Sequence, residues 1–191
     1  MTLERRTAMA ALMKDRADDL LVVPGLGSTT WDLAAAGDDP RNFYLWGAMG
    51  GAAMIGLGLA LAQPARRVAV ITGDGEILMG LGSLATIGSR RPSNLAVIVF
   101  DNGVYGETGM QPSHTQSGVD LIGVARACGI GACFDVCDAD ALTGLALRLK
   151  DLRETLFARV LISADEPPRV LPLRDGVAIK DRFRAAIGIK A

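Results

Sequence analysis

Apolar positions fall along this chain in two rhythms. Continuous apolar runs stand at Leu20-Leu21-Val22-Val23, at Val68-Ala69-Val70-Ile71 and from Leu95 to Phe100. None alternates with polar residues, so each predicts a strand buried on both faces. A further run over 159–163 predicts a last strand. Between the runs, apolar residues recur at helical spacing and predict helices over 3–14, 48–62, 77–89, 119–128 and 139–150. Thr29-Thr30-Trp31-Asp32 predicts the start of a short helix, with Thr29 and Asp32 at capping-box spacing. Strands alternating with helices imply an α/β fold, a doubly wound parallel sheet with helices on both faces. The 191 residues contain no linker, repeat or low-complexity run, so a single domain over 1–191 is expected.

In an open parallel sheet, ligands bind beyond the carboxyl ends of the strands. Three such ends are unusual: Gly25-Leu26-Gly27-Ser28-Thr29, Gly73-Asp74-Gly75 and Asp101-Asn102-Gly103. Gly73 and Gly75 are expected to let the backbone turn sharply and approach a ligand closely. The helix that follows offers free N–H groups, which suit a phosphate. A bare Asp74 carboxylate would repel that phosphate, and a divalent cation between the two removes the conflict. Mg²⁺ takes oxygen ligands, commonly one or two from protein and the rest from diphosphate and water. Asn102 and the backbone carbonyl of Val104 are the remaining candidate ligands. Directly after them runs a polar loop over 106–118, the longest in the chain. Long loops in compact domains are often functional. This one carries Glu107 and the sole histidine, His114, the side chain whose ordinary pKa lies nearest neutrality. Both are candidates for touching substrate, and His114 for moving a proton.

Composition narrows the class. Twenty Lys and Arg against 21 Asp and Glu leave a net charge of −1, without the basic excess of a nucleic-acid binder. The N-terminal stretch lacks the apolar core and cleavage site of a signal peptide. Residues 48–62 are too short to span a bilayer, which takes about 20 apolar residues. A cytoplasmic protein without membrane or nucleic-acid partners is expected. Cys128, Cys133 and Cys137 lack the paired spacing of zinc or cluster sites, and are expected to be ordinary core thiols.

Gly73-Asp74-Gly75 followed by Asn102 and Gly103-Val104-Tyr105-Gly106 resembles the metal–diphosphate motif of thiamine-diphosphate enzymes. The segment from Asn42 to Gly50 resembles the one that holds the cofactor's aminopyrimidine. In that family the carbonyl at Gly47 accepts from the amino group, Ala48 follows, and Met49 donates its N–H and wedges the cofactor into a bend. Gly27-Ser28-Thr29 resembles an element that reaches the diphosphate. The resemblance therefore implies cofactor contacts from Gly27, Ser28, Thr29, Gly47, Ala48, Met49, Gly73, Asp74, Gly75, Glu76, Asn102, Val104, Tyr105 and Gly106. It places Asp74, Asn102 and Val104 on Mg²⁺.

The run from Asn42 through Thr115 is similar to the sulfopyruvate and phosphonopyruvate decarboxylases, as are Pro168-Arg169 and Lys180-Asp181-Arg182-Phe183. Trp46, Gly51 and the run Ser28-Thr29-Thr30-Trp31 depart from them. The resemblance implies a diphosphate-binding, beta-type subunit of a heteromeric 2-oxo acid decarboxylase that releases an aldehyde and CO₂. It further implies a separate alpha-type, pyrimidine-binding subunit that supplies the catalytic glutamate. Two other enzymes would use the same motifs: a carboligase of acetolactate-synthase type and a 2-oxoacid oxidoreductase subunit. A non-enzymatic alternative is a dinucleotide-binding regulatory module built on Gly25-Leu26-Gly27.

Overall fold

The computed structural model describes residues 2–189. Helix α1 (Arg5–Met13) leads into strand β1 (Leu20–Pro24), and α2 (Ser28–Ala36) and α3 (Ala52–Ala62) connect it to β2 (Arg67–Gly73). Helices α4 (Asp74–Met79) and α5 (Ser83–Arg90) lead to β3 (Leu95–Asp101). A small hairpin, β4 (Val104–Tyr105) and β5 (Gln111–Pro112), follows with a 3-10 turn between its strands. Then come α6 (Leu121–Ala127), β6 (Ala132–Val136), α7 (Ala139–Lys150), β7 (Leu156–Leu161) and α8 (Gly176–Ala186).

Five strands form one sheet in the order β1-β2-β3-β7-β6, and every neighbouring pair is parallel. The order reverses between β3 and β7, and a crevice opens at such a switch point. The unalternated apolar runs are buried on both faces, as their pattern requires. Ala69, Ile71, Ala96 and Ile98 pack against Met9, Leu33, Leu142 and Leu145 on one face. Val68, Val70, Val97 and Val99 pack against Leu57, Leu84, Ile87 and Leu121 on the other. Burial of this apolar area is the main drive to fold.

Several boundaries differ from the sequence reading, each for a local reason. Helix α3 starts at Ala52 rather than 48, because Ala48 (φ 58°) and Gly50 (φ 86°) adopt left-handed backbone. The helix expected over 77–89 is two helices, α4 and α5, parted at Gly80-Leu81-Gly82, and α4 begins at Asp74 itself. The last strand spans 156–161 rather than 159–163, because Leu156, Phe157 and Ala158 are all buried. Thr29 and Asp32 form no capping box. The N-cap of α2 is Gly27, Thr29 and Thr30 hydroxyls donate to the Gly25 carbonyl at 3.2 and 2.7 Å, and Asp32 faces Arg5. Of the cysteines expected in the core, Cys128 and Cys133 are half-buried and pack against it, whereas Cys137 is exposed. Among the described residues no helix is long and apolar enough to cross a membrane.

Candidate functional site

A cavity of about 440 Å³ lies beyond the carboxyl ends of β1, β2, β3 and β7. Leu26 and Ser28 line it from the end of β1, the run Gly73 to Glu76 from β2, and Phe100 and Asn102 from β3. Val104, Tyr105, Gly106 and Glu107 close one side, and residues 164–169 after β7 close another.

Asp74 opens α4 and is buried, 2 % exposed. One carboxylate oxygen accepts from the Ser113 hydroxyl and lies 3.4 Å from that of Thr115. The Thr115 hydroxyl also lies 2.9 Å from Asp101, so two residues of the polar loop tie both carboxylates together. Burial pushes the Asp74 pKa up to about 6; the Ser113 bond opposes this, and the nearby Asp101 charge adds to it. Among the described residues, no cationic side chain pairs with Asp74. A buried carboxylate without a cation is costly, and an ion seated beside it would relieve that cost.

Asn102 is half-buried, and its side-chain oxygen accepts from the Val104 N–H at 3.1 Å. An amide oxygen has two lone pairs, so one remains for a ligand. Among the described residues, no three His, Cys, Asp or Glu stand together as a metal cluster. A cation here would rest on a mixed set: one carboxylate, one amide oxygen and a backbone carbonyl. Oxygen donors of that kind suit a hard ion.

The two glycines beside Asp74 play different parts. Gly73 has extended backbone (φ −88°, ψ 163°), and nothing lies within 4 Å of where a Cβ would stand. Its turn needs no left-handed residue, and its bare backbone faces the cavity. At Gly75 a Cβ would meet the Tyr105 ring at 2.6 Å, so glycine lets that ring pack on the first turn of α4.

Glu76 is buried, and burial pushes its carboxyl up against the N–H bonds it accepts. Those bonds come from Leu26 at 2.8 Å and Ala52 at 3.4 Å, and they stitch the end of β1 to the start of α3. A Cβ on Gly25 would stand 1.8 Å from the Glu76 carboxylate, so the close approach requires glycine there.

A second cavity, on the other side of Tyr105, is lined by Met49, Gly75, Leu78, Met79, Leu81, Tyr105, His114 and Val119. Met49, Gly75 and Tyr105 line both cavities and form the partition between them. The Tyr105 hydroxyl lies 2.9 Å from His114 Nδ1. His114 thus faces the second cavity and Glu107 the first. Gly27, Thr29, Gly47 and Ala48 lie off the cavity walls, and the Thr29 hydroxyl is engaged by the Gly25 carbonyl. Trp31, Arg5 and residues 164–169 line the first cavity without any spacing signal in the sequence.

A family model described as the thiamine pyrophosphate enzyme, C-terminal TPP binding domain, matches residues 25–156. The chain belongs to the thiamine pyrophosphate enzymes. Its relatives include a phosphonopyruvate decarboxylase of Streptomyces viridochromogenes, 46% identical over 188 residues, covering 96% of this chain and 46% of the relative. The chain therefore spans about half the length of that protein. A sulfopyruvate decarboxylase subunit beta of Methanocaldococcus jannaschii is 37% identical over 171 residues, covering 84% of this chain and 88% of the relative. The fold is shared with a solved putative thiamin diphosphate-dependent enzyme from Mycobacterium smegmatis, at a TM-score of 0.73 and 22% identity, over 85% of this chain and 32% of that one.

A parallel sheet is expected to carry ligand contacts at its strand ends, and the first cavity lies there. The first cavity suits the diphosphate end: it has bare backbone at Gly73, and the first turns of α2 and α4 open onto it. Neither the carboligase nor the oxidoreductase alternative is favoured by these relatives, both named as decarboxylases.

Proposed function

We propose that this chain is the diphosphate-binding, beta-type subunit of a heteromeric decarboxylase that uses thiamine diphosphate and Mg²⁺. Its substrate is a small 2-oxo acid of the sulfopyruvate or phosphonopyruvate kind, and its products are an aldehyde and CO₂. One observation carries the metal assignment. Asp74 is a buried carboxylate that no cationic side chain pairs with among the described residues, on the wall that also presents Asn102 and Val104. Asp74, Asn102 Oδ1 and the Val104 carbonyl would hold the ion.

Thiamine diphosphate, when bound, supplies a sink for the electron pair left behind as CO₂ departs. The protein's own residues bind, orient and shield. Ser113 and Thr115 fix the carboxylates of Asp74 and Asp101. Met49 and Tyr105 separate the diphosphate side from the His114 side, and Gly47, Ala48 and Met49 would meet the aminopyrimidine. The Tyr105 hydroxyl, 2.9 Å from Nδ1, steadies the His114 ring, which would move a proton at the reacting end. Glu107 borders the first cavity and would touch substrate.

The glutamate that protonates the pyrimidine ring would come from a separate alpha-type subunit. Glu76 is engaged by the N–H groups of Leu26 and Ala52 and is not offered for that task. Met49 (40 % exposed) and Met79 (69 % exposed) leave apolar surface beside the second cavity, which suits cover by such a partner. The assembly is read as a cytoplasmic hetero-oligomer without nucleic-acid or membrane contact. Co-purification with the partner, followed by assay of sulfopyruvate and phosphonopyruvate with Mg²⁺ and cofactor, tests this. Aldehyde and CO₂ from the pair and no turnover by this chain alone are expected. Full turnover by this chain alone, or a hydroxyketone product, would overturn it.

A further inference from the structure

We propose that Arg169, stacked on Trp31 at the first cavity, binds a tetrahedral oxyanion: the sulfonate or phosphonate head of a substrate, or the terminal phosphate of the cofactor. The proposal rests on the reading of that cavity as a thiamine-diphosphate site. The Arg169 guanidinium carbon lies 4.2 Å from the centre of the Trp31 ring, and both residues line the cavity. A guanidinium stacked on indole keeps its N–H edge free, and its fork matches tetrahedral oxyanions through paired bonds.

The wall narrows the choice of cation to one. Asp74, Glu76, Glu107, Asp165 and Glu166 line the cavity, and its basic residues among those described are Arg5 and Arg169. Arg5 is buried and engaged: it donates to Asp32 at 2.6 Å and to the Asp165 carbonyl at 3.0 Å. Arg169 has only a loose partner, Glu107, at 3.9 Å, and its side chain is 61% exposed. An anion entering this acidic cavity therefore finds one cation with donors to offer.

The segment that presents Arg169 is held in place. Arg5 donates to the Asp165 carbonyl and Arg6 to that of Pro168. Further on, Trp46 Nε1 donates to the Leu173 carbonyl at 2.9 Å. Both tryptophans of the chain are thus engaged with this stretch. Glu107 acts as a placeholder. It pairs loosely with Arg169 and lies against Gly27, where a Cβ would stand 3.0 Å from its carboxylate. An incoming oxyanion takes its place.

The test is calorimetric titration of the full chain, unaltered and as Arg169→Ala, Arg169→Lys and Glu107→Gln. Two probes are used: thiamine diphosphate with Mg²⁺, and methylphosphonate added to the cofactor-loaded chain. Arg169→Ala is expected to weaken one probe about tenfold or more, as loss of charge-assisted bonds should. Arg169→Lys should recover only part of that loss, and Glu107→Gln should tighten the same probe a few-fold. A change confined to thiamine diphosphate names the terminal phosphate, and one confined to methylphosphonate names the substrate head. A change under about twofold for both probes in Arg169→Ala would overturn the proposal, as would an unaltered chain that binds neither. If the unaltered chain rejects thiamine diphosphate, the reading of the cavity fails by itself. Methylphosphonate on the unloaded chain then judges Arg169 separately.

Discussion

At Asp74 the fold buries a carboxylate with hydroxyls on one oxygen and no cation beside it. Its folded pKa of about 6 lies above the ordinary 3.8, so the ionised form destabilises the ion-free protein. That penalty is absent below the ordinary pKa, grows as pH rises and is complete above about pH 6. Asp74→Asn removes it. Without metal, thermal melts across roughly pH 4 to 8 are expected to show a higher midpoint for the variant above pH 6, with the gain vanishing towards pH 4. The gain amounts to at most about 3 kcal/mol. A lower midpoint at neutral pH would mean that the protein satisfies this carboxylate by itself. Gly25 makes a second prediction at this scale. Gly25→Ala places a methyl group 1.8 Å from the Glu76 carboxylate and should displace it from the Leu26 N–H. A loss of about 1–3 kcal/mol in chemical denaturation is expected, and most of it should disappear in a Glu76→Ala background.

Among the elements, α1, α2 and the segment after β7 meet at one buried ion pair. Asp32, 1% exposed on α2, accepts from Arg5 of α1, while Arg6 Nε stands 3.4 Å away without hydrogen-bond geometry. Arg5 also holds the Asp165 carbonyl. Asp32→Ala strands a buried guanidinium and is expected to cost about 3–5 kcal/mol in urea denaturation. Pairing it with Arg5→Met should restore much of that loss, because an apolar pair fills the space without a charge to desolvate. No change in Asp32→Ala would show that the Asp165 carbonyl and solvent already satisfy Arg5. The central strands were legible in the sequence because both their faces are buried, so every residue is apolar. Strand β6 was not: it is an edge strand, and Asp135 within it pairs with Arg159 of β7 instead of packing in a core. Helix α8 did leave a trace, Asp175 capping a turn ahead of Ile179 and Phe183 at helical spacing. Its low apolar content masked that trace. Hairpin β4–β5 has two residues per strand, too few for any pattern.

Across the whole molecule, the switch point between β3 and β7 collects strand ends that are far apart in sequence. The part of the site carried by short motifs, Gly73-Asp74-Gly75 and Asn102, was readable, because chemistry and spacing coincide there. The remainder depends on long-range contacts that spacing does not encode. Ser113 reaches Asp74 across the polar loop, Tyr105 packs on Gly75, and residues 164–169 return to the cavity from the far edge of β7. The division into two cavities, with Glu107 facing one and His114 the other, is likewise a property of the folded chain alone. The most direct measurement is calorimetric titration of thiamine diphosphate into the unaltered protein and Asp74→Ala, each with Mg²⁺ and with the metal chelated. Tight binding that requires Mg²⁺ in the unaltered protein, and is lost in Asp74→Ala, is the predicted result. Binding by Asp74→Ala with undiminished Mg²⁺ dependence would contradict the account.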